Sequence, residues 1–121
     1  GMTGLETALS VVQHAMIDTG LMDWEGFARV TSVTPAAIGG VETQGRPIAA
    51  GEPANVILVD PSARRTVDPN KMASKGRNSP FAGLELPGIV QATFFAGHPT
   101  VLDAALNTPH PVSTEESAWI A

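Results

Sequence analysis

Three histidines, His14, His98 and His110, are the residues of this 121-residue chain best suited to hold a metal or move a proton, and their spacing does not assemble them. A metal centre draws several ligands from close spacing or from a fold that gathers them. No His-x-His and no His-Glu-x-x-His occurs, and no clustered carboxylates stand near any of the three. The absence of cysteine removes thiolate ligands, disulfides and a sulfur nucleophile. No Gly-x-Ser-x-Gly elbow offers a serine. Ala73-Ser74-Lys75-Gly76-Arg77 carries charge without the glycines of a phosphate loop, so it reads as a surface loop, with anion binding by Lys75 and Arg77 as the alternative. His14 reads as a packing or surface residue, His98 as a turn residue, Glu6 as a helix cap rather than a general base, and Asp60 before Pro61 as the start of a turn. Residue by residue, the sequence yields no catalytic group and no metal ligand.

Composition narrows the classes further. At 43% hydrophobic and 16% charged, the chain is too apolar to be wholly disordered. Seven Lys and Arg against 12 Asp and Glu, a net charge of −5, leave no positive excess for a nucleic-acid stripe. No apolar run approaches the ~20 residues of a membrane span, and the first residues show no signal peptide. The length makes one domain, well short of the ~250 residues of a barrel enzyme. The missing cysteine suits the cytoplasm. Gly1-Met2 reads as a tag remnant before a start methionine. Nucleic acid and membrane are therefore not expected partners.

The elements that would position any chemistry fall in three zones: helices to about residue 40, strands and turns over 41–103, and an extended tail over 104–121. Thr3 reads as an N-cap with Glu6 completing a capping box, and Leu5, Leu9, Val12 and Met16 form an apolar stripe. Asp18-Thr19-Gly20 ends that helix. A second helix is expected from Asp23 to about Val30, and Thr34-Pro35 reads as an N-cap and first residue of one more short turn, closed by Gly39-Gly40. Asn55 to Val59 reads as a strand buried on both faces, Arg64 to Val67 as a short edge strand, and Lys75 to Gly88 as an ordered loop. Ile89 to Phe95, the turn Gly97-His98-Pro99 and Thr100 to Leu102 read as a hairpin. Beyond Ala104 the chain reads as a frayed terminus in which Trp119-Ile120 could dock.

Taken in order, several segments resemble one family. Gly1-Met2-Thr3-Gly4-Leu5-Glu6-Thr7 resembles the Phe-Gly-Met-x-Gly-Leu-Glu-Thr stretch after the last barrel strand of dihydroorotases. Thr34-Pro35-Ala36 resembles their turn back to a small β-domain, and the run from Gly45 to Asp60 resembles the return strand shared by amidohydrolases. Asn78-Ser79-Pro80-Phe81-Ala82-Gly83 and Gly88 to Thr93 resemble the loop and closing strand of the same enzymes. The likeness runs from residue 1 to about 103, with Asn55 standing where the family has Asp.

That resemblance implies an α+β arrangement: the last helices of an amidohydrolase TIM barrel followed by the C-terminal half of a composite β-sandwich. It implies a dinuclear zinc enzyme that interconverts dihydroorotate and N-carbamoyl-aspartate in pyrimidine synthesis. The family's ligands (a His-x-His, a carbamylated lysine, two further histidines and an aspartate) all precede the matching region. The chain itself is therefore expected to hold no cofactor and to be inactive alone, as the product of a truncated gene, a split gene or an excised domain. The backbone of Gly1 corresponds to a position that touches substrate in relatives, and is the single substrate-binding residue carried over. A barrel-helix face and strand edges left open, roughly 500 Å² of apolar surface or more, imply a homo-oligomer. Non-catalytic relatives that scaffold aspartate carbamoyltransferase make that enzyme a second expected partner. An imidase, allantoinase or deacetylase shares the return strand and stands as the alternative activity.

Overall fold

The computed structural model describes residues 1–107. Expectations for 108–121, including His110 and Trp119-Ile120, lie outside the described residues.

Two helical runs precede an antiparallel sheet, the α+β arrangement expected. The first run joins α1, Ala8–Val12, to a π turn, Gln13–Ile17. The predicted capping box does not form. Gly4 to Thr7 make a turn in which the Thr7 N–H and Oγ1 both donate to Gly4 O at 3.2 Å, so the helix starts at Ala8. Leu5, 98% exposed, drops out of the apolar stripe, while Leu9, Val12 and Met16 are half-buried. Gly20 takes the left-handed conformation expected of the residue closing the run (φ 77°).

The second run is longer than expected. It passes from α2, Trp24–Ala28, through a π turn, Arg29–Val33, into α3, Thr34–Gly39, without a break. Asp23 caps it, its carboxylate accepting the Gly26 N–H at 2.7 Å. Thr34 is helical rather than an N-cap. Proline lacks the N–H that an α-helix interior would use, and the wider π turn immediately before Pro35 lets the chain stay helical through it. Gly40 at φ 64° ends the run.

The sheet is a four-stranded meander in the order β1, Val56–Thr66; β2, Glu85–Phe95; β3, His98–Leu102; and β4, Ala105–Leu106. The two strands expected at 55–59 and 64–67 are one bent strand, interrupted where Asp60 Oδ1 accepts from Ser62 N (2.9 Å), Ser62 Oγ (2.7 Å) and Ala63 N (3.1 Å). Those bonds hold the Asp60 carboxyl below the usual carboxylate range, chiefly through Ser62. β1 is not buried on both faces: Ile57 is 50% and Leu58 53% exposed, because β1 is an edge strand in which a register shift after Leu58 breaks the alternation. β2 begins four residues earlier than expected, carrying Leu86 (4% exposed), the fully buried Pro87 and Gly88 inside what reads as loop. The first hairpin turns at Ala96-Gly97 rather than at Gly97-His98-Pro99, with both residues at positive φ. Asp103 and Ala104, also at positive φ, make a second two-residue turn, so 105–106 form a strand and not a frayed end.

The first run packs on β2. Ser10 Oγ donates to Gly88 O at 2.9 Å, and the buried Gln13 donates through Nε2 to Pro61 O at 2.8 Å. A Cβ on Gly88 would collide with the Gln13 side chain and come within 2.9 Å of Leu9, so glycine is what allows the helix to sit this low. Asn55, the departure from the family pattern, uses both ends of its amide: Oδ1 accepts the Ala96 N–H at 2.7 Å and Nδ2 donates to Thr43 O at 3.1 Å. An aspartate could make the first bond and not the second.

Candidate functional site

The segment before α1 has few side chains that can fasten it, yet it is tied down by a loop about 70 residues away in sequence. Thr3 donates twice to Asn78 O, from its main-chain N (2.9 Å) and from Oγ1 (3.3 Å). Asn78 returns the contact, its Nδ2 donating to Gly1 O at 2.7 Å. The Glu6 carboxylate accepts from two successive amides, Ser74 N at 2.9 Å on Oε1 and Ala73 N at 3.2 Å on Oε2. Glu6 is therefore no helix cap; the loop supplies N–H groups better placed for it than those of the helix start.

The loop is shaped to receive this segment. The 3₁₀ turn Pro69–Lys71 opens it, with Asp68 accepting from Asn70 N at 3.0 Å. Arg77 Nη1 turns inward to the carbonyls of Met72 (3.5 Å), Gly76 (3.3 Å) and Ser74, so this nitrogen serves the loop's own backbone. Gly76 faces Thr3 so closely that a Cβ there would stand 2.8 Å from Thr3 Cγ2. Between segment and loop lies a cleft of about 570 Å³, bordered by Met2, Leu5, Met72 and Leu106 among others. Its wall is mostly apolar, and Glu6, Ala73 and Ser74 also line it.

The remaining residues singled out from the sequence lie elsewhere. His14 is exposed on the π turn of the first run and His98 is exposed at the start of β3. Among the described residues no three His, Cys, Asp or Glu side chains gather closely enough to hold a metal ion, so the zinc pair implied by the resemblance finds no fitting ligand set there. Gly1 is the one position of the carried-over reading that touches the clasp, through its carbonyl. Glu6 and Asn78 were legible only as members of motifs, since neither spacing nor periodicity relates positions so far apart.

A separate pair orders the turn before β1. Arg46 grips Glu52 with two nitrogens, Nη2 to Oε1 at 2.7 Å and Nε to Oε2. The hydrogen bond from Arg46 lowers the Glu52 carboxyl, and that to Glu52 raises the Arg46 guanidinium. No helix among the described residues is long and apolar enough to cross a membrane.

Comparison with known proteins follows the same line. No protein-family model matches the chain. It is 55% identical over 106 residues to a dihydroorotase of Streptomyces coelicolor, covering 88% of this chain and 25% of that protein. It is 46% identical over 106 residues to a dihydroorotase of Mycobacterium tuberculosis, with the same two shares. Among solved structures, D-hydantoinase (dihydropyrimidinase) from Thermus sp. superposes with a TM-score of 0.80 at 22% identity, covering 90% of this chain and 24% of that one. L-hydantoinase (dihydropyrimidinase) from Arthrobacter aurescens superposes with a TM-score of 0.80 at 24% identity, over 89% and 24%. The chain thus spans about a quarter of the length of the relatives it matches.

Proposed function

Taking as premise the chain's kinship with the dihydroorotases, we propose that it serves as one part of a zinc-dependent cyclic amidohydrolase that interconverts dihydroorotate and N-carbamoyl-aspartate. The observation that carries this reading is the clasp. The segment Gly1 to Thr7, which carries Gly4-Leu5-Glu6-Thr7, meets the loop that leads into Asn78-Ser79-Pro80-Phe81: Thr3 and Gly1 bond to Asn78, and Glu6 bonds to Ala73 and Ser74 just ahead of it. A chance likeness of two short motifs carries no expectation that they meet in space.

In this reading the stretch acts by position. It holds the backbone of Gly1 against substrate and closes the apolar cleft behind it, while the metal ligands come from other polypeptide. On this reading the chain alone is inactive, because the family's ligands come from polypeptide that precedes the matching region.

The test is expression of the complete reading frame, loaded with zinc and assayed for hydrolysis of dihydroorotate, hydantoin and allantoin. The proposal expects turnover of dihydroorotate well above the other two. A parallel chimaera, with residues 1–107 replacing the matching stretch of the Streptomyces coelicolor dihydroorotase, is expected to keep activity within about tenfold, or ~1.4 kcal/mol of barrier. Preference for hydantoin or allantoin, or loss of activity in a folded chimaera, overturns the assignment.

A further inference from the structure

We propose that the apolar cleft between the segment before α1 and the loop at 72–77 is the seat of the chain's own tail, with Trp119-Ile120 as the side chains that enter it. The cleft offers about 570 Å³, within the ~300–1,000 Å³ of pockets that hold compact ligands. Three of its large apolar side chains stand open: Leu5, Met2 (74% exposed) and Leu106 (68% exposed). Met2 lines it from the segment and Met72 from the loop, and a thioether is a favourable neighbour for an aromatic ring.

The tail sets out from this cleft. Leu106 is one of the lining residues, and Asn107 beside it is fixed, its N–H donating to Thr100 O at 2.9 Å and its Nδ2 to Pro99 O at 2.8 Å. Trp119 follows Asn107 by 12 residues, a span of up to ~40 Å when extended, so the return is well within reach. Closing a loop of that length costs little more than closing a shorter one. Over 108–118 only Val112 carries a large aliphatic side chain, so Trp119-Ile120 is the one adjoining apolar pair of the tail. Charge matches as well. Glu115 and Glu116 stand just ahead of that pair, and the exposed Lys71 and Lys75 flank the cleft-lining stretch 72–74 without an ion pair among the described residues. Glu6, the carboxylate on the cleft wall, is already taken up by the Ala73 and Ser74 N–H groups. The likeness to dihydroorotases runs only to about residue 103, so the tail carries none of the family's motifs. A ring seated in the cleft touches segment and loop at once, and so fastens the clasp a second time.

Disulfide trapping in the product of the complete reading frame tests this, and these 121 residues hold no cysteine of their own to compete. Leu5→Cys with Ile120→Cys is expected to link within one chain on mild oxidation. Mass spectrometry then finds the linked peptides, and a non-reducing gel shows a monomer band. Adding Trp119→Ser is expected to slow linking about tenfold, by removing the largest apolar group of the tail. Adding Lys71→Glu with Lys75→Glu is expected to slow it about threefold, the scale of an exposed ion pair. Leu5→Cys alone is expected to react with a thiol reagent about tenfold faster once residues 108–121 are deleted. Leu5 is 98% exposed, so its replacement leaves the fold intact; Met2→Cys on the same cleft repeats the test should that variant not fold. Linking between two chains, seen as a dimer band, assigns the cleft to a second copy and overturns the proposal. No linked species, or linking unmoved by Trp119→Ser, overturns it as well. A Leu5→Cys thiol that stays unreactive whether or not the tail is present assigns the cleft to other polypeptide of the same protein, with the same consequence.

Discussion

Residues 8–17 and 24–39 are both helical and both pass through a π turn, but they relate to the rest of the molecule differently. The first run is fastened to the sheet at chosen polar points: Ser10 on Gly88, Gln13 on Pro61, and ahead of it the clasp of Thr3, Glu6 and Asn78. The second closes chiefly on itself. Phe27 packs edge-to-face against Trp24, with ring centres 5.8 Å apart, and Gly45 tucks against the backbone at Ser32 and Val33. Much of its apolar surface is left outward, with Ile38 83% exposed. The difference teaches that an apolar stripe does not by itself set where a helix docks. Buried hydrogen bonds and a missing Cβ set the depth and register of the first run, and they converge on the stretch that leads into the clasp.

Substitutions can break this contrast, and those at the fastened run are expected to have the largest effect. Gly88→Ala adds a Cβ into Gln13 and Leu9 at a left-handed backbone, and is expected to cost about 3 kcal/mol in urea unfolding. Gly20→Ala, with a similar φ but open space around it, is expected to cost about 1 kcal/mol. Equal losses at the two positions would remove the case for close packing at Gly88. Gln13→Ala is expected to cost about 2 kcal/mol by stripping the bond to Pro61 O in a buried place. On the second run, Ile38→Ser is expected to change stability of this polypeptide by less than about 0.5 kcal/mol. A larger loss would show that something covers the face.

The smallest expected effect is a pH dependence at the bend of β1. The Asp60 carboxyl is lowered by the Ser62 hydrogen bonds, so its contribution is present above the unfolded value near ~4 and fades as pH falls through the lower folded value. Asp60→Asn is therefore expected to lower the urea midpoint slightly at pH 7, with the gap to the parent closing as pH falls through the lowered folded value. A gap that stays constant with pH would mean that the charge plays no part.

How much of this was legible beforehand depends on what kind of signal each feature leaves. The strand cores at 56–59 and 89–95 show in their apolar β-branched runs. The extension of β2 back to Glu85 does not, because Pro87 and Gly88 are residues that usually interrupt strands. Pro87 escapes that rule by pairing with Arg64 just beyond the bend in β1. The turn at Asp103-Ala104 lacks the Asn-Gly that announces positive φ, so no local signal points to β4. Thr34-Pro35 has the form of a helix start, and only the π turn before it makes it an interior. Glu6 shows the ambiguity most plainly: three residues after a threonine it has the spacing of a cap, while its actual partners sit at 73–74, where no local pattern points. The family resemblance takes in Gly1 to Thr7 and Asn78 without indicating that they touch, and Ala73-Ser74 belongs to none of its motifs.

Amide hydrogen exchange followed by NMR tests the clasp most directly. The account predicts slowed exchange at Thr3, Ala73 and Ser74 relative to the exposed turn at 48–51, and faster exchange at Ala73 and Ser74, but not at Val90 in β2, in the Glu6→Gln variant. Exchange at those three amides as fast as in the turn, or exchange at Ala73 and Ser74 unmoved by the substitution, would contradict it.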